Sequence, residues 1–205
     1  MSQHELLKEI EKAEKEICVA VYMITSQKIS DALIESHKKG VSIKIVTDSG
    51  CINSPYGKAY HLLQAGIDIR VFSPPGGNHA FPPLMHTKYA IMDKITVTIG
   101  SYNWTNSADH SNEEHLRITK SKKLCLLLHE HFQALFNDRS TDEFDCHRNQ
   151  ILSWNKKNKT ATKSIPIFSP PKYVKHPKHL FVQTWHSVCK ELSQTLWNFV
   201  SNRPL

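Results

Sequence analysis

HTKYAIMDKITVTIGSYNWTNSADHSNEE, residues 86–114, carries the spacing His86-x-Lys88-x4-Asp93, then Gly100-Ser101-x-Asn103, then the paired carboxylates Glu113 and Glu114. His86 and Lys88 lie two apart on a segment that turns apolar through Tyr89-Ala90-Ile91-Met92, which reads as a strand with both polar side chains on one face. Asp93-Lys94 suits a tight turn, and residues 95–99, rich in β-branched side chains, read as the return strand. Gly100 lets the backbone pass close to a bound group, while Ser101 and Asn103 offer a hydroxyl and an amide as donors. An imidazole with an ordinary pKa near ~6.5 can be nucleophile or proton carrier at neutral pH, and a lysine beside it supplies a point charge for a phosphate oxygen. Together they make an anion site with a nucleophile in it. The other histidine–lysine clusters, His37-Lys38-Lys39 and His176-Pro177-Lys178, have neither an aspartate five residues on nor a following Gly-Ser-x-Asn.

Upstream of this stretch, strand and helix patterns alternate. Ser2 with Glu5 is a capping-box pattern that opens a helix through about Lys15. Residues 17–24, ICVAVYMI, form a continuous apolar run of strand length, as in a strand covered on both faces. Ile29, Leu33 and Ile34 give a helical stripe closed by Gly40; residues 41–46 read as a second strand, 56–65 as a helix ending at Gly66, and 67–72 as a third strand. This order predicts an α/β fold with a mixed, largely parallel sheet flanked by helices. The proline- and glycine-rich residues 73–85 read as a loop walling the substrate groove, in which His79 and Phe81 read as plain loop filler, the alternative being that they stack on a base or meet a lipid headgroup. Residues 114–119 read as another strand and 122–136 as an apolar-faced helix, ending a catalytic domain over residues 1–137. A basic, proline-containing linker over 138–178 follows, with Lys156, Lys157, Lys159, Lys163, Lys172, Lys175 and Lys178 available to phosphates. Phe181, Trp185, Val188, Leu192, Leu196 and Phe199 then mark an amphipathic helix within residues 179–205, expected to dock on its own core or on a partner.

A chain of 205 residues with 40% hydrophobic content holds one sizeable core and a modest appendage. Its formal charge of +7 biases it towards polyanions, either nucleic acid or an anionic phospholipid surface. Five scattered cysteines without a C-x-x-C pair suggest no disulfide framework and fit a reducing compartment; Cys18 and Cys125 read as core residues. A cluster of Cys51, His61, Cys146 and His147 lacks the usual zinc spacing. The amino terminus is charged and helical, and no apolar run approaches the ~20 residues a membrane span needs.

The 86–114 stretch resembles the H-K-D motif of the phospholipase D superfamily. Its continuation GSYNWT, with Asn112 and Glu114, is similar to the single-motif nuclease branch that includes bacterial endonucleases and the Zucchini, or mitochondrial cardiolipin hydrolase, group. The likeness extends over roughly residues 1–137. Where that family commonly has Asn after the final Glu, this chain has His115, and spacing from Gly100 favours Glu114 over Glu113 as the functional carboxylate. No zinc-finger insertion and no amino-terminal anchor of the kind some relatives carry are present in the sequence as written.

The resemblance implies His86, Lys88, Asp93 and Glu114 as the catalytic set and Lys88, Gly100, Ser101 and Asn103 as the phosphate-binding set, with no metal and no cofactor. Covalent phosphodiester cleavage wants a nucleophile on one side of phosphorus and a general acid opposite, so one histidine per chain is not enough. A twofold homodimer with a composite site supplies the second. In this reading Glu114 orients His86, Asp93 is more structural than chemical, and the product keeps a 5′-phosphate. The expected activity is a metal-independent endonuclease on single-stranded RNA or DNA; the alternatives are hydrolysis of cardiolipin or another phospholipid, and a nucleic-acid-binding scaffold with a vestigial site. The expected location is cytoplasmic, or by family likeness the mitochondrial outer surface.

Overall fold

The computed structural model describes residues 2–72 and 84–137, together with 187, 190 and 191. Six strands form one mixed sheet: β1 (Glu16–Val21), β2 (Ser42–Asp48), β3 (Asp68–Phe72), β4 (Lys88–Met92), β5 (Thr96–Gly100) and β6 (Leu116–Lys120), in the spatial order β3-β2-β1-β4-β5-β6. Pairings β1–β2 and β2–β3 are parallel, and β1–β4, β4–β5 and β5–β6 antiparallel. The parallel half comes from the strand–helix–strand units and the antiparallel half from the motif hairpin and its successor. The helices are α1 (Ser2–Lys12), α2 (Gln27–Lys38), α3 (Ser49–Asn53), α4 (Ala59–Gln64), α5 (Asn106–His110) and α6 (Lys122–Phe136).

Alternation along the strands builds two cores. Ile17, Val19, Val21, Ile43, Ile45, Ala90 and Met92 face α1, α2 and α4, where Leu6, Ile10, Ile29, Leu33 and Leu62 are wholly buried. Cys18, Ala20, Val46, Tyr89, Ile91, Val97 and Ile99 face α6, whose Leu124, Leu128 and Phe132 recur at four-residue spacing along one helix face. A sheet covered on both sides explains why residues 17–21 are apolar without alternation. Ser26 and Ser121 cap α2 and α6 by accepting from the backbone N–H of Ile29 and Leu124. Gly40 and Gly66, at φ 95° and 93°, close α2 and α4 in the left-handed region that glycine tolerates.

Several boundaries differ from the sequence expectation. The first helix stops at Lys12 rather than near Lys15, because the Asp93 carboxylate takes the N–H groups of Glu14, Lys15 and Glu16 at 2.9, 2.8 and 2.9 Å. The first strand ends at Val21; residues 22–26 instead pair with a distant segment through Trp104. The 56–65 helix is confined to Ala59–Gln64, and the five-residue turns α3 and α5, capped by Asp48 and Thr105, were not anticipated. The linker 138–178 and the loop residues 73–83, including His79 and Phe81, lie outside the described residues, as do Cys146 and His147. Of the expected terminal helix, Ser187, Lys190 and Glu191 are helical, and Glu191 pairs with Lys123 of α6 at 2.5 Å. No helix among the described residues is long and apolar enough to cross a membrane.

Beneath α6, Tyr89 Oη lies 2.8 Å from Nδ1 of the buried His131. Burial pushes the His131 pKa down to about 4. The unfolded chain gains a proton near pH ~6.5 that the folded protein refuses until about pH 4, so stability present above pH ~6.5 drains away through that window. Roughly 3 kcal/mol is at stake over the whole interval. Urea midpoints measured from pH 7 to 4 should fall steeply in the wild type and less steeply in His131→Gln; equal slopes would contradict the assignment.

Candidate active site

The site residues gather at one edge of the sheet because of its mixed topology. The carboxyl ends of β1 and β2, the amino end of β4, the carboxyl end of β5 and the amino end of β6 all meet there, as the pairs Val21–Thr47, Val21–Lys88, Tyr89–Ile99 and Gly100–Leu116 record. His86 sits just before β4 and is exposed; Lys88 is the first residue of the strand and is buried. Both were expected within the strand. Lys88 Nζ donates to the His86 carbonyl at 2.6 Å, which turns the ammonium back towards the histidine.

Two residues that sequence reasoning missed hold this pair. Tyr22 has its ring 5.0 Å from the His86 ring, tilted by 58°, and 5.6 Å from Lys88 Nζ. It therefore orients the imidazole and offers its π-face to the ammonium. Asp48, almost fully buried, accepts from the Gly50 and Met85 N–H groups at 2.8 and 2.9 Å, fixing the backbone one residue ahead of His86. Burial raises its pKa against those hydrogen bonds and the nearby His86. The one polar-tipped aromatic in the apolar run 17–24 and the carboxylate closing β2 were the available signals; their nearness to His86 is a matter of sheet order.

Across the edge, Ser101 Oγ donates to Glu114 Oε2 in a very short hydrogen bond and accepts the His115 N–H at 3.0 Å. Asn112 Nδ2 donates to Glu114 Oε1 at 3.2 Å. Within the described residues Glu114 thus engages Ser101 and Asn112, not the His86 ring, and Glu113 is exposed. The Asn103 amide oxygen is buried with no hydrogen-bond partner among the described residues; an amide flip would turn its NH2 to the same place. Trp104 carries that segment over the end of β1, donating to the Met23 carbonyl at 3.1 Å and accepting from Thr25 and Ser26 at 2.9 and 3.0 Å.

Gly100 is required by a close backbone approach of the chain just before β6. A Cβ there would fall 1.9 Å from the His115 carbonyl oxygen, so only glycine allows β6 so close. Asp93 stands at the far end of the β4–β5 hairpin. With Lys94 it occupies left-handed backbone, φ 53° and 56°, forming the tight turn, and its carboxylate clamps the chain entering β1. Burial raises the Asp93 pKa, but the three backbone donors outweigh it and the net shift is downward. Asp93→Asn keeps a residue that tolerates this φ yet loses the charge, so it should cost about 2 kcal/mol in a chemical melt while kcat is retained. A large loss of kcat at unchanged stability would instead place Asp93 in the chemistry.

Electrostatically the edge is prepared for an anion. Burial lowers the Lys88 pKa, with the Glu114 carboxylate pulling the other way, so an arriving phosphate would complete a charge the protein leaves underneutralised. An exposed imidazole beside a buried ammonium, faced by a hydroxyl, an amide and a carboxylate, can attack phosphorus and hold its oxygens. Such a fold and site define the phospholipase D-like class. The chain matches the family model described as "Cardiolipin synthase, PLD-like domain" over residues 6–136 and belongs to that family.

It is 34% identical over 119 residues to the phospholipase D of Rickettsia prowazekii, covering 58% of this chain and 55% of that protein. It is 29% identical over 131 residues to the mitochondrial cardiolipin hydrolase of Homo sapiens, covering 64% and 49%. The chain thus spans about half the length of the curated relatives it matches. Among solved structures it is similar to Nuc from Salmonella typhimurium, a phospholipase D family member, with TM-score 0.58, 31% identity and coverage of 66% of this chain and 86% of that one. NucT from Helicobacter pylori, at TM-score 0.61 and 22% identity over 65% and 86% of the two chains, shares the fold.

Proposed function

We propose that the protein is a metal-independent phosphodiesterase that cleaves single-stranded RNA or DNA through a phosphohistidine, working as a homodimer. The observation that carries this reading is the exposed His86 held between Tyr22 and the buried Lys88 at the open edge of the sheet. In the first step a nitrogen of His86 attacks phosphorus in line, and the P–O3′ bond breaks. His86 of the partner subunit gives its proton to the departing oxygen. That same partner histidine then takes a proton from water, whose oxygen attacks phosphorus, breaks the P–N bond and leaves a 5′-phosphate. Lys88, Ser101 and Asn103 hold the non-bridging oxygens, and Glu114 keeps the Ser101 hydroxyl in place and balances Lys88.

The charge of +7 favours a polyanionic substrate. A second reading, phospholipid hydrolysis, draws support from relatives named phospholipase D and mitochondrial cardiolipin hydrolase, since both substrate classes present a phosphodiester. Parallel incubation with end-labelled single-stranded RNA, single-stranded DNA, duplex DNA and cardiolipin vesicles separates the two. Cleavage of single strands without lipid turnover is expected; lipid turnover alone would reverse the order.

A further inference from the structure

At the other end of β1 from Tyr22, Glu16, Cys18 and His129 each bring one donor atom within 4.8 Å of the other two. Cys18 lies four residues from Tyr22, roughly 13 Å along the strand, so this cluster stands apart from the catalytic edge. Glu16 and Cys18 share the strand face that looks at α6, and His129 projects from that helix. We propose that Glu16, Cys18 and His129 form a binding site for a zinc-class ion that ties β1 to α6, with water completing the coordination.

The donor set selects the ion class. A thiolate and an imidazole suit borderline-soft zinc, whereas magnesium and calcium want oxygen alone. Zinc–ligand lengths of about 2.0–2.3 Å place tetrahedral neighbours about 3.5 Å apart, so the three donors must close by roughly an ångström, within reach of side-chain rotation. The frame is already set. Asp93 holds the Glu16 N–H at 2.9 Å, Cys18 is an interior residue of a strand paired on both sides, and the Gln133 amide meets His129 Nε2 at 3.5 Å. Lys94 pairs with Oε1 of Glu16 at 3.4 Å, leaving Oε2 for an ion. Burial, followed by the Glu16 charge, pushes the Cys18 thiol up to about 11 in the metal-free protein, so binding releases its proton.

The test titrates the full, reduced, metal-free chain with Co2+. One equivalent should give a thiolate-to-cobalt charge-transfer band that Zn2+ bleaches, and Zn2+ in excess should raise the melting temperature by several degrees. Cys18→Ala and His129→Ala should each lose the band and the shift, while the exposed His110→Ala keeps both. If Cys18→Ala does not fold, His129→Ala, on a half-buried face and with the thiol intact, decides. Absence of the band in the wild type, or its survival in a folded His129→Ala protein, would overturn the site.

Discussion

His86→Ala should abolish turnover, lowering kcat by ~10³-fold or more, while the protein keeps its melting temperature and the oligomeric state of the wild type. The imidazole is exposed and touches chiefly the Tyr22 ring, so its removal opens no cavity in either core. In the proposed homodimer the substitution deletes nucleophile and general acid together, because that reading gives both roles to copies of one residue. Mixed dimers of wild-type and His86→Ala chains, isolated by two affinity tags, should therefore be inactive in the second step even where the first proceeds. Steady activity in His86→Ala would remove the histidine from the mechanism.

Lys88→Met should cost ~10²–10³-fold in kcat and leave the protein as stable as the wild type or more so. The two effects have one cause. Burial disfavours the ammonium, as its lowered pKa records, so folding works against the charge that the proposed mechanism uses in the transition state. Methionine keeps an unbranched apolar side chain and removes the desolvated charge with its contact to the Tyr22 ring and its hydrogen bond to the His86 carbonyl. Lys88→Arg should not restore activity, since a planar, delocalised guanidinium does not reproduce a compact ammonium point charge. A thermal melt beside single-turnover kinetics reads both quantities; a variant that unfolds with its loss of activity would make Lys88 a structural residue.

Much of the fold was legible because both sheet faces are covered: apolar runs at 17–21 and 89–92 and helical stripes at Leu33 and Leu128 identify their elements without tertiary information. The hairpin turn at Asp93-Lys94 was legible from turn chemistry, and Gly40 and Gly66 from helix-end chemistry. Tyr22 and Asp48 were not, since they reach His86 only through the pairing of β1 with β4 and β2, a relation that local pattern does not contain. Gly100 illustrates a different limit. Its need for a missing side chain follows from sequence, but the His115 carbonyl just before β6, which a Cβ would meet, is supplied by strand pairing that local pattern does not contain. Glu114 shows a related limit: it was expected to accept from the His86 ring, whereas its carboxylate accepts from Ser101 and Asn112.

The most direct measurement is a rapid quench of the enzyme with a single-stranded oligonucleotide in excess EDTA, followed by peptide mapping under alkaline conditions. The downstream oligonucleotide fragment is expected on His86, bound through its 5′-phosphate, at a rate matching turnover and absent in His86→Ala. Turnover that EDTA abolishes, or that proceeds with no adduct on His86, would contradict the proposed mechanism.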